Sequence, residues 1–169
     1  KEHIRVHSEL EHVEFIPLND VNAFNLENPL AGLAQNGMVF VQSQKTDPSE
    51  VWAAIPAWAK KELVGKNARL FALDTVAIAR EVSSLADLQQ RMQGIVLLGV
   101  FLRVTPFQAE HSISDEVLFK GVEKSLRKYF GKRGEQVVQD NLKAVSRGFR
   151  EVIEIPREAM IVPASAKMN

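Results

Sequence analysis

Ala68-Arg69-Leu70-Phe71-Ala72-Leu73-Asp74-Thr75-Val76-Ala77-Ile78-Ala79-Arg80-Glu81 decides the fold class of this chain. Leu70 to Leu73 is a short apolar run, the pattern of a strand covered on both faces. Asp74 follows where a helix N-cap belongs, its side chain placed to accept the orphan amides of a first turn. Val76, Ile78 and Ala79 continue as a helix. The stretch is an α/β joint, and in open α/β sheets ligands gather where strands end and helices begin. It predicts an architecture and, taken alone, no reaction.

Working outward, His3 to His7 alternates polar and apolar, as a half-exposed strand does. Val13 to Pro17 and Met38 to Val41 read as further strands, and Val152 to Pro156 as a closing one. Asn19 to Asn28 is turn-like, and a short helix is expected across Pro29 to Ala34. Asp47-Pro48-Ser49-Glu50 carries the signals of a helix start, with an acid at the cap and proline at the first helical position. A second helix is expected from Ala57 to Val64, with Gly65 as its C-cap. A long helix beginning at Ser83 or Ser84 runs through Leu102, apolar all round in its second half and expected to lie against the sheet. Gly94 and Gly99 in it offer places for a neighbouring backbone to approach. Two amphipathic helices follow, with stripes at Leu118, Val122, Leu126, Tyr129 and at Val138, Leu142, Val145, Phe149. The expected fold is α/β: a mixed, Rossmann-related sheet with helices packed on it.

Composition excludes several function classes. The 169 residues are 46% hydrophobic and 25% charged, ordinary for one globular domain. A chain of this size buries roughly 70% of its unfolded surface. Lys plus Arg and Asp plus Glu each number 21, so the charge balance favours neither nucleic acid nor an anionic membrane. The charge is unevenly spread: residues 1–30 hold two basic and six acidic side chains, residues 115–151 nine basic and six acidic. Cysteine is absent, which removes disulfides, thiolate catalysis and Cys-ligated clusters from this chain. The longest apolar run, Ile95 to Leu102, falls far short of the roughly 18 residues a membrane span needs. The expected setting is cytoplasmic.

No Ser-His-Asp set, carboxylate pair or phosphate loop can be assembled, so no catalytic residue and no metal ligand is assigned. His3 and His7 are four apart, but on a strand that separates them by about 13 Å, and they read as exposed strand histidines. His12 and His111 have no visible partners. Asp74 has two readings, a ligand contact at the strand end and an ordinary N-cap. Lys128, Lys132 and Arg133 either meet a phosphate or an acidic partner, or form a solvated corner near a helix C-terminus. Trp52 and Trp58 flank Pro56 and read as core or interface packing rather than as stacking platforms.

Four stretches also carry a resemblance. Gly37 to Ser43, Leu70 to Ala79, Leu97-Leu98-Gly99-Val100-Phe101 and Tyr129 to Asn141 resemble, in order and spacing, the gamma domain of the 2-oxoacid:ferredoxin oxidoreductases. That family reads as a glycine-led strand, a strand ending in Asp before "A-x-x-I-A", an apolar helix with "LGA" and an "F-G-K-K-G-E" connection. The resemblance spans about His3 to Ile155. It lacks the glycine-rich turn, close to G-x-G-G-Q-G, with which such domains open, and it has Gly94 where many relatives have Asn. It implies a gamma-type domain over 1–156, N-terminally incomplete, with 157–169 as a tail.

The resemblance further implies oxidative decarboxylation of a 2-oxoacid by the full enzyme. Thiamine diphosphate, iron–sulfur clusters and CoA are implied there, and none is expected on this chain alone. Its expected partners are the enzyme's other domains or subunits, with ferredoxin or flavodoxin reached through the complex and self-association across the first strand. Asn25 and Asn28 join Asp74 as candidates near the cofactor, with turn formation as their other reading. A different class remains open: a stand-alone α/β interaction or ligand-binding domain without redox chemistry.

Overall fold

The structure, a computed structural model, describes residues 4–7, 12–18, 20, 23–26, 29–83 and 85–163. The chain divides into two compact units, Lys1–Asp74 with Ile153–Asn169, and Thr75–Val152.

The first unit is built on a five-stranded mixed sheet in sequence order. Its strands are β1 (Ile4–His7), β2 (His12–Leu18), β3 (Met38–Gln42), β4 (Arg69–Leu73) and β5 (Ile153–Glu154). β1 and β2 pair antiparallel, with His7 in register with His12; His3 lies outside the described residues. β2, β3 and β4 run parallel, and β5 returns antiparallel to β4. The side-chain period of two gives the sheet two buried faces. Ile16, Leu18, Val39, Val41, Leu70 and Ala72 form one core with Val51, Trp52, Ile55, Ala59 and Leu63. The last five come from α2 (Pro48–Ala53), α3 (Ala57–Gly65) and the turn between them, so helices do pack on the sheet. Phe15, Met38, Phe40 and Phe71 are buried on the other face.

Local signals mostly hold. Asp47 caps α2, its carboxylate accepting from the Glu50 amide at 3.3 Å. Two expectations around the loops are corrected. Pro29 to Ala34 forms turns, with Gly32 at φ +80, and the short helix is instead α1 (Ala23–Leu26). The left-handed residue after α3 is Asn67 (φ 53), not Gly65; Asn tolerates that region through its short polar side chain. The stretch from Arg157, read as a tail, is held to the unit as far as Ile161. Met160 lies in the core, and the Trp52 indole N–H donates to the Ile161 carbonyl at 2.8 Å.

The second unit is helical: α4 (Thr75–Val82), α5 (Gln89–Val104), α6 (Phe107–His111), α7 (Asp115–Phe130) and α8 (Glu135–Glu151). The long helix starts at Gln89, later than expected, because the Ser83 hydroxyl turns the chain by bonding the Leu85 amide and carbonyl and a 3-10 turn follows. Within the unit α5 packs against α4 and α8. The α5–α8 crossing is backbone to backbone. A Cβ on Gly99 would lie 2.0 Å from the Val145 carbonyl oxygen, and one on Gly148 2.0 Å from that of Val96. Gly94 has open space around it and plays no part. Leu102, Leu118, Val145 and Phe149 form a second core, with Phe119 edge-on to Phe149 at 5.1 Å. Tyr129 leaves the stripe assigned to it and is 75% exposed.

Candidate functional site

Because β2, β3 and β4 are parallel, Leu18, Gln42 and Leu73 end on one edge of the sheet, the place where such sheets present ligand contacts. The ladder runs one residue past the strands, the Ser43 amide donating to the Leu73 carbonyl at 3.1 Å. Ser43 is buried, and its hydroxyl oxygen accepts from the Lys45 amide at 3.0 Å, which turns the chain away from the sheet. Gln42 then reaches across: its Nε2 donates to Asp74 Oδ1 at 2.7 Å. Both side chains are half-buried. A charge-assisted bond of this kind is stronger than a neutral one, and it ties the carboxyl ends of β3 and β4 together.

Asp74 directly precedes Thr75, the N-cap position read from the sequence, and accepts from Gln42. Nothing local in the sequence announces that bond, since its partners are 32 residues apart; the signal available was a polar Gln-Ser pair closing a four-residue apolar strand. Asn25 lies within α1, and Asn28 lies outside the described residues. Trp52 is buried with Lys60 over its ring at 5.6 Å, and Trp58 stacks edge-on to Phe24 at 5.9 Å. Trp52 is a core residue, whereas Trp58 is 40% exposed. Asn141, not singled out from the sequence, is buried and donates to the Val137 carbonyl at 2.7 Å. Among the described residues no group of three or more His, Cys, Asp or Glu converges as a metal site, and no helix is long and apolar enough to cross a membrane.

The second unit carries an open groove of about 600 Å³ between α7 and α8, lined by Asp115, Phe119, Glu123, Leu142 and Arg150. Its carboxylates are engaged: Asp115 accepts from Gln108 and Glu123 from Arg127. At the α7–α8 connection, Gly134 at φ 107 makes the turn that only glycine takes freely. Arg127 there grips Glu135 at 2.6 and 2.8 Å. Its two bonds, with help from Gln139, hold the Glu135 carboxyl down from 4.5 to about 2. A depressed carboxylate stabilises fully above its unfolded value near 4.5, and that contribution is lost as pH falls through about 2. The Glu135 side-chain carbon resonance is therefore expected to titrate near 2, and Arg127→Met to raise its midpoint toward the ordinary value, the Gln139 bond still holding it somewhat below. A wild-type midpoint already at the ordinary value would disprove the tie.

Comparison with known proteins places residues 1–151 in one family, pyruvate ferredoxin/flavodoxin oxidoreductase. The chain belongs to that family. It is 27% identical over 116 residues to the pyruvate-flavodoxin oxidoreductase of Trichormus variabilis, covering 69% of this chain and 9% of that protein. With the pyruvate:ferredoxin oxidoreductase of Moorella thermoacetica it shares 23% over 146 residues, or 86% of this chain and 12% of that protein. The chain thus spans about a tenth of the curated relatives it matches. Its fold is similar to that of pyruvate oxidoreductase subunit PORC from Thermotoga maritima, with a TM-score of 0.54 at 21% identity over 84% of this chain and 65% of that one. The family resemblance and the α/β fold read from the motifs are both borne out.

Proposed function

We infer that this chain is the gamma domain of an enzyme that oxidatively decarboxylates a 2-oxoacid, such as pyruvate or indolepyruvate, and passes the electrons to ferredoxin or flavodoxin. The observation that carries this reading is the family match across residues 1–151. With no cysteine in 169 residues, this chain has no thiolate to ligate an iron–sulfur cluster, and its described acids and histidines do not converge on a metal. The clusters are therefore read as lying on the enzyme's other domains or subunits, and thiamine diphosphate and CoA as groups implied for the full enzyme. On this reading the chain serves in assembly of a cytoplasmic complex. Its candidate contact is the carboxyl edge at Gln42, Ser43 and Asp74, with Asn25 on the helix that follows β2.

Reconstitution tests the reading. The chain purified together with the thiamine-binding and cysteine-rich parts encoded with it should support 2-oxoacid-dependent reduction of methyl viologen. Omitting the chain should abolish that assembly, and the chain alone should give no heat on titration with thiamine diphosphate. Tight binding of thiamine diphosphate by the isolated chain would overturn the assignment.

A further inference from the structure

The tip where α7 turns into α8 carries more cations than its acids can neutralise. Lys124, Arg127, Lys128, Lys132 and Arg133 stand there against two carboxylates, Glu123 and Glu135. Arg127 takes both of them. Lys124, Lys128 and Lys132 are exposed and form no ion pair among the described residues, and Arg133 rests over the Phe130 ring at 6.0 Å. Tyr129, in the last turn of α7, is 75% exposed. An exposed tyrosine in a stretch rich in unpaired cations has the composition of an interface hot spot: an aromatic anchor to bury and charges near it.

We propose that this tip docks on an acidic face of another protein, with Tyr129 as the buried anchor and Lys124, Lys128, Lys132 and Arg133 as the steering rim. Charge complementarity selects the occupant. Three carboxylates or more are needed to balance the surplus, and they must flank an apolar patch that takes the tyrosine ring. A small anion is disfavoured, because every one of these cations is exposed and none forms an enclosed pocket. Nucleic acid is disfavoured by the chain's balance of 21 basic and 21 acidic residues, unlike the basic footprint of such binders. The proposal goes beyond the redox assignment and stands without it.

The probes are two synthetic decapeptides, one alternating Glu and Leu and the other Glu and Ser, with decathymidylate as the nucleic-acid arm. Each is titrated into the isotopically labelled 169-residue chain and followed by amide chemical shifts. The Glu–Leu peptide should shift amides confined to residues 123–135 and bind tighter than the Glu–Ser peptide. Its binding should weaken with salt, as contacts screened beyond a Debye length do. Tyr129→Ala should lose roughly tenfold in affinity for the Glu–Leu peptide, erase its advantage over Glu–Ser and leave the melting temperature unchanged. Lys128→Glu combined with Lys132→Glu should abolish binding of both peptides. Shifts scattered over the chain, or equal binding of both peptides, would reduce the tip to a solvated corner. Tighter binding of decathymidylate would make it a nucleic-acid surface instead.

Discussion

Replacing Gly148 with alanine is expected to destabilise the helical unit by roughly 3 kcal/mol or more, at the upper end of what overpacking a core does. Helix propensity argues the other way, since alanine is better than glycine in a helix interior by about 1 kcal/mol. Contact geometry decides the sign. The added Cβ would stand 2.0 Å from the Val96 carbonyl oxygen and 3.2 Å from the Val100 amide nitrogen. Backbone atoms of an α-helix have no rotamer into which to retreat, so α5 and α8 must separate, loosening Val96, Val100, Val145 and Phe149 together. Gly99→Ala is expected to behave alike, because it meets the Val145 carbonyl oxygen at the same 2.0 Å. The two substitutions should be strongly non-additive, since either one opens the same crossing. Gly94→Ala and Gly121→Ala are the internal comparison: nothing lies within 4 Å of either position, so propensity alone acts and both should be neutral or slightly stabilising. Urea denaturation followed by circular dichroism measures all four. A Gly148→Ala chain within about 0.5 kcal/mol of wild type, the scatter of ordinary surface substitutions, would show that the crossing relaxes at no cost.

That crossing shows how far the sequence could be read. Gly94 and Gly99 look alike as letters in one apolar helix, and only the path of α8 separates them. Gly148 carried no local signal, lying between Arg147 and Phe149 in an ordinary amphipathic repeat. The Leu98-Gly99 pair, quoted as part of a family resemblance, now has a physical reason: a side chain at 99 would enter a neighbouring backbone. Strands β3 and β4, the Asp47 cap and the stripes of α7 and α8 were legible because they depend on periods of two and 3.6 and on capping chemistry. The stripe failed at Tyr129, in the last turn of α7, where the helix ends before the next packed residue. At the candidate edge Asp74 was legible as the end of a strand. Its bond to Gln42 was not, because pairing between strands depends on sheet order rather than on neighbours in sequence.

A chain ending at Glu151 should fail to complete the first unit, although the family match itself stops there. Residues beyond that point return to the sheet. β5 supplies the antiparallel partner of β4, and the Ile155 amide donates to the Leu70 carbonyl at 2.8 Å. Glu154 takes both arms of Arg69 at 2.9 and 2.7 Å, and the partnership holds its carboxyl below the usual range. Ile155 is 1% exposed, and burying such a side chain contributes about 1.5–3 kcal/mol. The lost Met160 packing and the bare edge of β4 bring the expected loss to the order of 5 kcal/mol. A single domain is stable by only about 5–15 kcal/mol in all. Trp52 reports the result, because its indole hydrogen bond to Ile161 disappears with the segment. Its fluorescence should shift to the red, and the thermal transition of this unit should broaden or vanish in the shortened chain. Ile155→Ala separates the causes: it removes the packing and keeps the strand, and should lose about 2–4 kcal/mol with the tryptophan still bonded. If the chain ending at Glu151 melts as the full chain does, β5 is an ornament on the sheet; if Ile155→Ala matches the truncation, packing at this one side chain outweighs the pairing of the edge.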